Sequence, residues 1–121
     1  MAMMDAVFAA SPAVRYVAVY RAGKLESRQR SGIAGASAGE SDKYEELIVN
    51  PTLLTLVRQR GDIDCGGLES VLIRYGSFWE FVLPLVDGHL SVGVEPDADV
   101  VAVTRAIRAL PAVATATSRG R

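Results

Sequence analysis

Cys65 and His89 are each the only residue of their kind in the chain. A thiol becomes a nucleophile when a nearby base or positive charge favours the thiolate, so a Cys–His pair is the first chemistry to weigh. Cys65 lies in Asp62-Ile63-Asp64-Cys65-Gly66-Gly67, which reads as a connection. His89 follows Asp87-Gly88, a turn beside which an exposed polar residue is ordinary. Nothing in their spacing makes them partners, and no catalytic residue is assigned. Asp62, Asp64 and Cys65 mix hard carboxylates with a soft thiolate, and no second ligand cluster accompanies them, so no metal or cofactor is assigned either.

Two other patterns are weighed for anions. The small-residue run Ser31 to Gly39 lacks the closing Gly-Lys-Ser/Thr of a phosphate-binding loop and is followed by Glu40, so it reads as a linker. Between Arg15 and Arg30 there are five basic residues and one acidic one. No aromatic interleaves them after Tyr20, as stacking on bases would require, and a solvated edge strand is the simpler reading. No nucleic acid partner is expected.

Phe78, Trp79 and Phe81 form the densest aromatic group. Strand alternation puts Trp79, Phe81, Leu83 and Leu85 on one face and Phe78, Glu80 and Val82 on the other. Core packing accounts for most of these; the alternative is a small-ligand sensor with a pocket near Trp79. Glu80 in this apolar setting must reach a basic partner or solvent, because a lone buried carboxylate costs several kcal/mol.

These residues sit in a chain of 121 residues, 50% hydrophobic and 22% charged, with a net charge of −1. That suits one folded domain with no global attraction to nucleic acid or anionic lipid. Residues 1–112 are expected to form it, with a flexible tail over 113–121. One cysteine excludes an intrachain disulfide and suits a reducing compartment. The N-terminus does not read as a signal peptide, and no apolar run approaches the roughly 18 to 20 residues a membrane helix needs. The expected location is the cytoplasm, with no membrane partner.

The element order expected from apolar periodicity and turn residues is helix, strand, strand, helix, strand, strand, strand, helix. Met3 to Ala10 is a short helix. Val14 to Tyr20 is an inner strand, Ala22-Gly23 a turn, and Lys24 to Arg30 a polar edge strand. Asp42 and Glu45 form a capping pair for a helix through Val49. Pro51 either kinks this helix or, as expected here, opens a second one capped by Asn50 and closed by Gly61, with Leu53, Leu54, Leu56 and Val57 as an apolar stripe and Arg58 and Arg60 near its end. Three strands follow: Glu69 to Tyr75, Phe78 to Val86, where Pro84 marks an edge or bulge, and His89 to Glu95. Asp87-Gly88 is expected to turn the chain through positive φ. Val100, Val103, Ile107 and Leu110 line one face of a helix from Asp97 to Leu110, which Pro111 ends.

Pro12-Ala13-Val14 leading into Val17-Ala18-Val19, the Ala22-Gly23 turn, Leu68 to Ile73, the Asp87-Gly88 turn, and Val92-Gly93-Val94 before Pro96-Asp97-Ala98-Asp99 resemble the Roadblock family. This is the dynein light chain type of domain, whose bacterial members partner small GTPases, and the resemblance covers residues 3 to 110. It implies an α+β fold of Roadblock/profilin-like type: a five-stranded antiparallel sheet in the order 2-1-5-4-3, one helix on one face and two on the other. It also implies a non-enzymatic regulatory or scaffold module. Strand 3 would be an edge, and an apolar edge is a pairing surface. Val71, Leu72, Ile73 and Tyr75, with Leu53, Leu56, Arg58 and Arg60 on the central helix, are therefore the expected interface for a homodimer or for a small GTPase.

Overall fold

In a computed structural model, residues 2–33 and 36–117 are described. Five strands, β1 (Val14–Arg21), β2 (Lys24–Gln29), β3 (Val71–Arg74), β4 (Trp79–Leu85) and β5 (Gly88–Val94), form one antiparallel sheet in the order β2-β1-β5-β4-β3. The expected α+β class and strand order are what the structure has. Apolar, β-branched β1 and β5 hold the centre, and polar β2 lies at one edge with Lys24, Glu26 and Arg28 exposed. At the other edge, β3 pairs with β4 alone.

One sheet face carries Val17, Val19, Phe81, Leu83, Leu90 and Val92. It is covered by α1 (Ala2–Ala10), α4 (Val100–Ala109) and α5 (Pro111–Thr117), whose Met3, Met4, Val7, Val103, Ile107 and Val113 complete an apolar core. Asp99 caps α4 by accepting from the Ala102 N–H at 3.2 Å, and Val100, Val103 and Ile107 are buried as their spacing predicts. Pro111 starts α5 rather than ending the fold. Val113 and Ala116 are buried, and the Ala116 carbonyl accepts from the Val86 N–H, so 113–117 are packed structure rather than tail. The rest of the expected tail, 118–121, lies outside the described residues, as do 34 and 35 of the expected linker.

The opposite face is covered by α2 (Gly39–Tyr44) and α3 (Asn50–Asp64), joined by a π-helical turn over Glu45–Val49. The expected break before Pro51 is absent: Val49 and Asn50 keep helical φ and ψ. Proline lacks an N–H and its ring crowds the carbonyl four residues back, and a widened turn upstream makes room without ending the helix. Asn50 is therefore an interior residue, not a cap. The expected Asp42–Glu45 capping pair does not form either: the helix begins at Gly39 behind Ala38, and Asp42 instead accepts from Ser37 Oγ and Gln29 Nε2. At the far end α3 passes Gly61 and stops at Asp64. The Gly61 carbonyl accepts from the N–H groups of Cys65 and Gly67, and a Cβ at Gly61 would lie 3.2 Å from the Gly67 carbonyl carbon.

Two irregularities are explained by register. Leu85 pairs with Gly88, so Val86 and Asp87 make the hairpin loop and Gly88 needs no positive φ. Its requirement is proximity: a Cβ there would lie 1.8 Å from the Tyr20 carbonyl oxygen. Pro84 lies past the end of β3, where β4 has a ladder partner only on the β5 side, so its missing N–H is tolerated.

Candidate functional site

Glu46 and Asn50 are four residues apart on the central helix and both point down onto the sheet. Beneath them are Glu80 of β4 and His89 and Ser91 of β5, which share one face of the pleat. All five are buried. Glu46 Oε1 lies 2.8 Å from His89 Nε2 and accepts from Asn50 Nδ2 at 3.0 Å, and Glu46 Oε2 accepts from the Tyr16 hydroxyl at 3.1 Å. Glu80 Oε2 accepts from Asn50 Nδ2 at 3.2 Å and from Ser91 Oγ. One amide thus bridges two carboxyl groups. Burial, then the charge of Glu46, holds the Glu80 carboxyl well above the usual carboxylate range. Asn50 Oδ1 is buried with no donor among the described residues. Burial and the same Glu46 charge push the Tyr16 phenol up.

Beside this network lies a cavity of about 210 Å³. Tyr16, Tyr75 and Phe78 supply its aromatic surface, and Glu46, Glu80, Glu45 and Asp42 also face it. The Tyr75 and Phe78 rings meet at 5.4 Å between centroids. The Tyr75 hydroxyl donates to Glu45 Oε1 at 2.9 Å, while Glu45 Oε2 is shielded and has no donor among the described residues. Burial raises the Glu45 carboxyl. Arg15 is 6% exposed, its guanidinium 3.2 Å from Glu95 and 5.6 Å from the Phe78 ring centroid.

A second feature lies on the outer side of the central helix. Tyr44, Ile48 and Leu56 are 62%, 52% and 60% exposed, and with Val49, Thr52 and Leu53 they line a shallow groove of about 280 Å³. Leu53 and Leu56 of the expected interface thus share a surface, whereas none of its strand residues lines the groove. Leu72 is exposed on the β3 edge; Val71 and Ile73 are half-buried and lie opposite Val82 and Glu80, on the network face. Tyr75 is drawn to Glu45. Arg60 pairs with Asp64 on its own helix at 2.6 Å, and Arg58 is half-buried.

The remaining chemical candidates separate. Cys65 is exposed beyond α3 with its thiol 3.5 Å from Asp64 Oδ1, and His89 is 2% exposed and engaged by Glu46, not the exposed turn residue expected. Among the described residues, no three His, Cys, Asp or Glu side chains gather as metal ligands. Trp79 lies on the core face, its indole N–H donating to the Pro96 carbonyl at 3.2 Å, and it does not line the cavity. In the basic stretch, Arg21 pairs with Asp87, Arg28 with Asp5, and Arg30 donates to the carbonyls of Phe8, Ser11 and Val14. Sequence reasoning flagged Glu80 but missed Glu46, Asn50 and Tyr16. The i, i+4 spacing of Glu46 and Asn50, with His89 and Ser91 two apart on a strand, was the available signal.

Among the described residues, no single helix is long and apolar enough to cross a membrane. No protein-family model matches the chain, and no curated protein matches it significantly.

Proposed function

We propose that this chain is a non-enzymatic, homodimeric regulatory or scaffold module of the cytoplasm, binding a small Ras-like GTPase or a larger cytosolic assembly. The observation that carries the reading is the apolar outer face of the central helix, where Tyr44, Leu47, Ile48 and Leu56 are all at least 45% exposed. An amphipathic helix that already buries its inner side against a sheet has no need of a second apolar face unless another surface covers it. The open β3 edge with exposed Leu72 is a second unpartnered apolar element. The strand order, which the Roadblock resemblance implies, supports the choice of partner class.

The test is affinity capture of the tagged protein from its source lysate, in parallel with GDP and with a non-hydrolysable GTP analogue, read by mass spectrometry. Nucleotide-dependent recovery of a small GTPase, lost in Leu56→Asp, is the expected result. Recovery of no GTPase in either state contradicts the GTPase reading and leaves the scaffold reading to the oligomeric state.

A further inference from the structure

Among the described residues, the wall of the cavity beside the buried network carries more acid than base. Four carboxyl groups, those of Asp42, Glu45, Glu46 and Glu80, face it against one guanidinium. That guanidinium, of Arg15, is already engaged by Glu95 and lies over Phe78. Asp42 and Glu46 have donors on both oxygens. Glu45 does not: one oxygen takes the Tyr75 hydroxyl, and the other is shielded from solvent with no donor among the described residues. Facing these acids are the rings of Tyr16, Tyr75 and Phe78, whose π faces attract cations.

We propose that this cavity is a binding site for a small organic cation bearing N–H groups, an alkylammonium or alkylguanidinium compound. At about 210 Å³ it suits a compound with a short alkyl chain. Aromatic walls favour an organic cation over a hydrated metal ion. The Glu45 and Glu46 carboxyls on its wall favour a cation that donates hydrogen bonds over a quaternary one. Burial raises the Glu45 and Glu80 carboxyls, and a cation seated beside them would favour their charged forms. Glu45 and Glu46 belong to the π-helical turn, a distortion often found at functional sites. This site stands apart from the partner reading, since it faces the sheet and the groove faces outward.

The experiment is a titration of ¹⁵N-labelled protein with n-butylammonium and agmatine, alongside 1-butanol, butyrate and tetramethylammonium, following backbone amide shifts. Saturable shifts at Tyr75, Phe78 and Gly93 with the two N–H cations are expected, with dissociation constants at or below about 1 mM. Each control should bind at least about tenfold more weakly, and Glu45→Gln should weaken the cations by about tenfold. Equal binding of butanol would reduce the site to an apolar hole, and equal binding of butyrate would assign it to Arg15. Equal binding of tetramethylammonium would remove the role of the Glu45 oxygen. Absence of saturable shifts with either N–H cation up to about 20 mM overturns the proposal outright. Should Glu45→Gln not fold, the comparison of butylammonium with butanol on the unaltered protein decides.

Discussion

The two faces of the sheet are buried by opposite means. Under α1, α4 and α5 the interior is hydrocarbon, with Phe81, Leu90, Val92 and Ile107 at most 2% exposed and the Trp79 indole N–H met by the Pro96 carbonyl. Under the central helix, Glu46, Asn50, Glu80, His89 and Ser91 are buried to the same degree but held by hydrogen bonds. Apolar burial is tolerant of detail, since similar shapes can replace one another at modest cost. A buried polar network tolerates little, because each lost partner leaves a desolvated group behind. The apolar face therefore supplies stability, and the polar face fixes where the central helix sits, and with it both the cavity and the outer groove.

Variants that break this comparison differ in size. Gly88→Ala should have the largest effect, because its Cβ would overlap the Tyr20 carbonyl that both faces share; a loss above about 4 kcal/mol is expected in urea denaturation. Phe81→Ala on the apolar face should cost about 3 to 5 kcal/mol, read the same way. Glu46→Ala on the polar face should cost about 3 kcal/mol by stranding the Tyr16 hydroxyl, Asn50 Nδ2 and His89 Nε2. Its distinguishing mark is that Glu46→Gln restores only part of the loss, whereas Phe81→Leu restores most of its own.

The polar face also makes stability depend on pH. The Glu80 carboxyl is raised in the folded chain, so between the unfolded value near 4.5 and the folded one the native state binds a proton that the unfolded state has released. Glu80 thus contributes no penalty below 4.5, and stability falls as pH rises above it. Glu45 acts in the same direction. Glu80→Gln should flatten this decline, measured as the midpoint of thermal unfolding from pH 4.5 upward. An unchanged slope in that variant would remove Glu80 as its source.

The apolar face was legible in the sequence because local pattern builds it: the apolar centre of β1, the Trp79, Phe81, Leu83 and Leu85 face of β4, and the 3–4 spacing of Val100, Val103 and Ile107. The polar face was half legible. Glu80 stood out as a carboxylate in an apolar strand, but its hydrogen-bond partners Ser91 and Asn50 lie 11 and 30 positions away, and only the fold brings them, with Glu46 and His89, above and beside it. Pro51 misled for a physical reason: proline usually ends a helix, and the π-helical turn that accommodates it here has no sequence signature of its own. Gly88 was recognised as required, though for a positive φ rather than for the close approach of Tyr20. The helix over 111–117 was missed because Pro111 reads equally well as an end and as a first helical residue.

The most direct test of the central claim is sedimentation equilibrium of the wild-type chain beside Leu56→Asp and Leu72→Lys. Both residues are exposed, so neither change should cost more than about 0.5 kcal/mol of stability in the monomer. The account predicts twice the chain mass for wild type and the single-chain mass for at least one variant, which assigns the seam to the helix groove or to the β3 edge. A wild-type chain that sediments as a monomer at all concentrations, or two variants that remain dimers, would contradict it.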